Sequence, residues 1–180
     1  MQKALIFKFS LIFLSLVFAV ISCNDTRQPA LINEQGINMA AVDVVQRYVN
    51  AVKHKNVDTM SALLADNYVG YGPSFNDSVT KEDAVANWRN LAGNLYDSIE
   101  FTRSVFLPAK LTEDPHAGDY VSNWSSVSIT YKYGSHKGPV NLLMNVVYRV
   151  ENGKITMSRA FYDEADVMRQ LGYQFIAPPK

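Results

Sequence analysis

This chain is short of the groups that most reactive chemistry requires. Its 180 residues include one cysteine, Cys23, and three histidines. The histidines do not cluster. His54 lies between Lys53 and Lys55, His116 follows an Asp-Pro pair, and His136 falls in a turn. That pattern has no metal-ligand spacing. There is no glycine-rich phosphate loop, no G-x-S-x-G elbow and no dinucleotide fingerprint, which argues against nucleotide chemistry and serine hydrolysis. Charge of one sign is also lacking, with 17 Lys+Arg against 17 Asp+Glu. Without a basic field to hold a polyanion, nucleic acid is excluded as a partner. No internal repeat or low-complexity tract is present.

What is present begins at the N-terminus. Lys3 and Lys8 precede an apolar run, Leu11 to Ile21, broken only by Ser15. Val20-Ile21-Ser22-Cys23 then sets a small residue directly before the cysteine. This is the layout of a secretory signal. It resembles the bacterial lipoprotein signal, and that resemblance implies removal of residues 1–22. Cys23 then becomes a lipidated N-terminus carrying a diacylglycerol and an amide-linked chain such as palmitate. More than one acyl chain is needed for stable attachment. The alternative is an uncleaved anchor, because Ala4 to Ile21 sits at the short end of a membrane span of roughly 17–25 residues. Either reading places the remainder in the cell envelope, periplasmic or surface-facing, with the membrane as a partner. Cleavage removes Lys3 and Lys8 and no acidic residue, leaving 15 basic against 17 acidic groups. With Cys23 lipidated no thiol remains for disulfides, metals or catalysis, so stability must come from packing.

Residues 23–38 read as a polar tether without apolar periodicity. The domain, 39–180, is expected to open with a helix from about Met39 to His54, in which Val42, Val45, Val49 and Val52 fall at helical spacing. A second helix is expected from about Val57 to Ala65, then a short strand Tyr68–Tyr71 ended by Gly72-Pro73. Thr80 and Asp83 form a capping box for a third helix, whose buried stripe is Val85, Trp88, Leu91, Ala92 and Leu95. The period then changes to strands: one through Ile99 and Phe101, Tyr120–Tyr133, Pro139–Val150 and Lys154–Tyr162. Asn152-Gly153 suits a hairpin turn. Glu164–Leu171 ends at Gly172 as a last helix. Helices followed by a meander of strands make an α+β roll, a cone-like curved antiparallel or mixed sheet with helices over its concave face. Such a cone encloses a small-molecule cavity.

This order is similar to the NTF2-like superfamily. The stretches Arg149 to Ile155, Arg159 to Asp163 and Met168 to Gly172 resemble its SnoaL-like, polyketide cyclase-type branch, as does the Leu63-Leu64-Ala65-Asp66 run. The resemblance spans about Ala40 to Tyr173. It implies fold more sharply than reaction, because that superfamily holds cyclases, isomerases, dehydratases and non-catalytic binding domains.

The candidate catalyst is Asp163, at the end of the last strand on the pleat face of Arg159 and Phe161. The resemblance implies an acid/base role on a carbon acid. Asp163-Glu164-Ala165-Asp166 also reads as a helix N-cap. Candidate ligand-binding residues are Tyr48, Tyr68, Tyr71, Trp88, Trp124, Asn145, Arg159 and Phe161, each of which core packing or solvation also explains. Asn123 is a second strand amide that can orient a carbonyl, and Ser122, Ser126, Ser128 and Thr130 form a polar stripe with Trp124. Aromatics are 12% of the chain, and such amphipathic rings suit a flat, partly polar ligand. No metal and no cofactor is expected. The first functional expectation is a non-catalytic module that binds a small hydrophobic or aromatic ligand or mediates association. The second is a cofactor-free isomerase or cyclase using Asp163. A homodimer is a further expectation, with Leu142, Met144, Val146 and Tyr148 as its outer sheet face or, alternatively, as inner core.

Overall fold

The structure is a computed structural model that describes residues 36–113, 115–132 and 138–176. The leader, Cys23, most of the tether and His136 lie outside the described residues.

The chain opens with α1 (Met39–Lys53), in which Ala41, Val42, Val45, Tyr48, Val49 and Val52 lie on one buried face. Asn38 caps it by accepting from the Ala40 amide at 3.0 Å. Its own amide donates to Asp119 at 2.7 Å, so this last tether residue is already part of the domain. Lys55, with φ of 55°, turns the chain into α2 (Val57–Leu63), which Asn56 caps. Strand β1 (Leu64–Tyr71) follows, then β2 (Ser78–Thr80). The capping box at α3 (Lys81–Asn90) is present as expected: the Thr80 side chain accepts from the Asp83 amide, and the Asp83 carboxylate accepts from the Thr80 amide. A π-helical turn, Leu91–Leu95, then leads into the long strands. These are β3 (Tyr96–Leu111), β4 (Gly118–Tyr131), β5 (Val140–Glu151) and β6 (Lys154–Tyr162), and α4 (Glu164–Gln170) closes the described chain.

All six strands join one sheet in the order β2-β1-β6-β5-β4-β3. β1 runs parallel to β6, and the other pairings are antiparallel. The sheet is therefore mixed, and the fold is α+β as expected. The three-residue β2, which pairs Val69 with Thr80, was not anticipated.

Helix α1 lies across the sheet's inner face. The core there includes Val45, Met60, Leu64, Val121 and Ile155, all exposed by 1% or less. Burying such a side chain fully is worth about 1.5–3 kcal/mol each. Two bulges control which residues join this face. In β6, Val150 pairs with Ile155 but Arg149 pairs with Met157, so Thr156 is the extra residue. Strict alternation from the buried Ile155 would turn Arg159 and Phe161 inward. The bulge instead turns Ser158, Ala160 and Tyr162 inward. In β3 the register slips between Thr102 and Val105, where Arg103 has φ of 53°. Asn123, fully buried, repairs this gap: its amide donates to the Val105 carbonyl at 3.3 Å and its oxygen accepts from Ser125 Oγ at 3.1 Å. Its role is to support the sheet.

Candidate functional site

A cavity of about 340 Å³ lies between the inner face of the sheet and helices α1, α3 and α4. That volume lies within the range of small-molecule sites. Helical spacing on α1 brings Tyr48, Val49 and Val52 to its wall, and α3 contributes Trp88. Pleat alternation brings Leu142, Met144, Val146 and Tyr148 from β5, with Ser158, Ala160 and Tyr162 from β6. Gly72 and Pro73 border it after β1. Gly72 has φ of +88°, and a Cβ there would lie 2.5 Å from the Ala160 carbonyl oxygen, so a larger residue would push this edge off β6.

The wall contains eight aromatic side chains: six tyrosines, Trp88 and Phe101. Among the described residues, no Asp, Glu, His, Lys, Arg or Cys lines it. At the floor, Tyr48 and Tyr148 meet edge to face with ring centroids 5.9 Å apart. The Tyr68 hydroxyl shares a 2.6 Å hydrogen bond with Ser158 Oγ. Burial is the main cause that pushes the pKa of Tyr48, Tyr68 and Tyr148 above the ordinary tyrosine value, and at Tyr48 and Tyr148 the neighbouring phenols add to it. Tyr96, Tyr131 and Tyr162 are raised too, again mainly by burial. The phenols are therefore neutral hydrogen-bonding groups, able to give or take one bond each.

Of the residues proposed from sequence, Tyr48, Tyr68 and Trp88 stand together in this cavity. Tyr71, Trp124, Asn145, Arg159 and Phe161 do not. They stand on the sheet's outer face, Arg159 and Phe161 because of the β6 bulge and Trp124 and Asn145 by plain alternation along β4 and β5. There Trp124, Asn145 and Phe161 form one cross-strand row. Asn145 donates to Ser122 Oγ at 2.7 Å and to the Asn123 carbonyl at 3.3 Å. The Arg159 guanidinium lies 4.6 Å from the Tyr71 ring centroid, a cation–π contact. Asp163 borders a groove on this outer side with Arg103, Trp124, Leu143 and Phe161. Its carboxylate caps α4, accepting from the Asp166 amide at 2.9 Å, and lies 3.5 Å from Arg169 with its side chain 65% exposed.

Of the two placements expected for Leu142, Met144, Val146 and Tyr148, the structure takes the inner one: all four line the cavity. Leu143, Asn145 and Val147, between them, face outward. Tyr96, Phe101, Tyr131, Ser158 and Tyr162 were not singled out from the sequence. Pairing across the Asn152-Gly153 turn would have found Ser158 and Tyr162 only with the bulge at Thr156 known.

A model of the SnoaL-like domain matches residues 45–157. The chain belongs to the SnoaL-like family. A search of curated proteins finds no match. Among solved structures, the SnoaL-like chain is similar to a protein provisionally assigned as a polyketide cyclase from Silicibacter sp., at 21% identity and TM-score 0.59, covering 74% of this chain and 96% of that one. It is similar to an NTF2-like protein of unknown function from Burkholderia pseudomallei, at 14% identity and TM-score 0.59, covering 74% and 98%. It is also similar to an LEH-like epoxide hydrolase of M. tuberculosis, at 19% identity and TM-score 0.55, covering 74% and 90%. At these identities the likeness is one of fold, and the NTF2-like architecture is shared by all three.

Proposed function

We propose that this SnoaL-like chain is an envelope lipoprotein whose cone binds a small, largely apolar and aromatic molecule without transforming it. The observation that carries this reading is the composition of the wall: among the described residues it has eight aromatic rings and no ionisable side chain other than tyrosine. A carbon-acid isomerase or cyclase needs a general base whose pKa lies near the working pH. The phenols here are shifted upward, away from that range. The alternative enzyme would use Asp163, yet that carboxylate caps α4 on the other side of the sheet. The hydrolase and cyclase names of similar structures belong to those proteins.

Native mass spectrometry of the purified chain tests the proposal. A co-purifying small molecule is expected, and it should be lost in Ala160→Trp, which fills the cavity. Retention of the same molecule by a folded Ala160→Trp variant would move the ligand out of the cone.

Association through the outer face is a second reading with its own support. Val105, Leu107, Trp124, Leu143 and Phe161 are all at least half exposed there, and adjoining apolar side chains of that kind mark interaction surfaces. A homodimer would cover them. Sedimentation of the wild type against Trp124→Glu checks this: a monomeric wild type overturns it. Anchoring rests on the leader and Cys23. In the native host Cys23→Ala is expected to lose lipid mass and membrane retention; unchanged retention would end that reading.

A further inference from the structure

The hydrogen-bonding capacity of the cone is one-sided. Among the described residues, the polar side chains of its wall are six tyrosines, Ser158 and Trp88, and each carries an O–H or N–H. No carboxylate or side-chain amide oxygen stands among them to accept.

The imbalance is sharpest at the floor. Tyr148 of β5 and Ser158 of β6 are directly opposed, and Gly70 of β1 opposes Ser158 on its other side. Gly70 leaves room for a third hydroxyl: a Cβ there would lie 2.7 Å from the Tyr68 phenol oxygen. Tyr48 reaches the same floor from α1, edge to face with the Tyr148 ring. Four hydroxyl hydrogens are thus gathered in one place. The bond between Tyr68 and Ser158 uses one of them. Among the described residues nothing accepts from the other three. Nor are the Tyr48 and Tyr148 hydroxyls stranded in packing, since the one fully enclosed side-chain atom without a partner among the described residues is Arg149 Nε. Both therefore open onto the cavity, from residues only 7% and 5% exposed.

A ligand that displaces water from these hydrogens must offer acceptors in its place or lose affinity. A carboxylate would bring acceptors, but among the described residues the wall holds no cation to offset the loss of its hydration. We infer that the ligand is uncharged and carries an oxygen acceptor, a carbonyl or an ether, on the end that enters first, where Tyr48, Tyr148 and the Tyr68–Ser158 pair donate to it. This rests on the ligand-binding reading above and adds the polarity and the orientation of the bound molecule.

The probes are 2-acetylnaphthalene, 2-isopropenylnaphthalene, in which a methylene replaces the carbonyl oxygen, and 2-naphthoate. Equilibrium dialysis compares the full chain with the double variant Tyr48→Phe, Tyr148→Phe, which keeps both rings and removes two donors. The variant is expected to bind the ketone about ten-fold more weakly and the hydrocarbon no more weakly than the wild type does. In the wild type the naphthoate should bind more weakly than the ketone. The infrared carbonyl band of the bound ketone should lie at lower frequency in the wild type than in the variant. Because neither hydroxyl donates to the protein, the variant's melting temperature should not fall. Equal changes for ketone and hydrocarbon would overturn the acceptor assignment and leave the cavity reading standing. Tighter binding of the naphthoate than of the ketone, an unmoved carbonyl band or a lowered melting temperature would do the same. Binding of none of the three would overturn both.

Discussion

The two faces of the sheet use the same strands to make unlike surfaces. Along β5, Leu142, Met144, Val146 and Tyr148 face the cavity, and the residues between them, Leu143, Asn145 and Val147, face outward. Among the described residues, polarity inside is carried by phenols and one serine, with no formal charge in the lining. Outside, Arg103, Arg159 and Asp163 stand among exposed Trp124 and Phe161. Apolar content does not distinguish the faces, since both carry large apolar side chains. They differ in what accompanies those side chains. On the inner face the partners are neutral and buried, which suits a bound molecule. On the outer face they are charged and open to water, which suits a surface that meets another surface.

The largest test of this contrast places one carboxylate on each face. Val146→Asp buries an unpaired charge in the cavity wall and is expected to destabilise by at least about 3 kcal/mol in chemical denaturation. Trp124→Asp should shift the folding free energy of the monomer by no more than about 0.5 kcal/mol while weakening association. Similar losses at both positions would mean that the outer face is core, and the contrast would fail.

A second test uses alkali. Six tyrosines of the cavity have pKa values raised above the ordinary value, chiefly by burial. The unfolded chain therefore releases these protons first. Their contribution to stability is complete below about pH 10, the unfolded tyrosine value, and falls as pH rises beyond it. Absorbance at the phenolate band should rise together with loss of circular dichroism in one cooperative step. Phenolate forming while the fold persists would show that the inner phenols are open to water.

The smallest expected effect is that of Asp163→Ala. Loss of the α4 cap should lower stability by about 1 kcal/mol, with binding in the cone unchanged. A large loss of ligand affinity at unchanged stability would link Asp163 to the cavity and break the division between faces.

Much of the fold was legible because local chemistry announced it. Valines at helical spacing mark α1, Thr80 and Asp83 form the expected box, and Asn152-Gly153 turns β5 into β6. The three residues of β2 have no period of their own, and pairing with β1 makes them a strand. The site was legible only in part. Residue type identified aromatics suited to a pocket, but which face the β6 residues join depends on the bulge at Thr156. A bulge is set by cross-strand geometry, and a two-residue period carries no sign of which face is inside. The bulge turns Phe161 outward, and Trp124 lies on the outer phase of the β4 alternation, which the period alone leaves open.

The position of β6 has a consequence for how this chain is made. The latest strand among the described residues, Lys154–Tyr162, lies between β1 and β5 at the middle of the sheet. Until it arrives, β1 and β2 have no connection to the rest of the sheet, and the inner wall lacks Ser158, Ala160 and Tyr162. Completion therefore waits for contacts of long sequence separation, which form slowly. A chain emerging from a ribosome keeps this sheet open until Tyr162 has been made. A stop codon before Lys154 would remove the centre of the sheet rather than trim its edge.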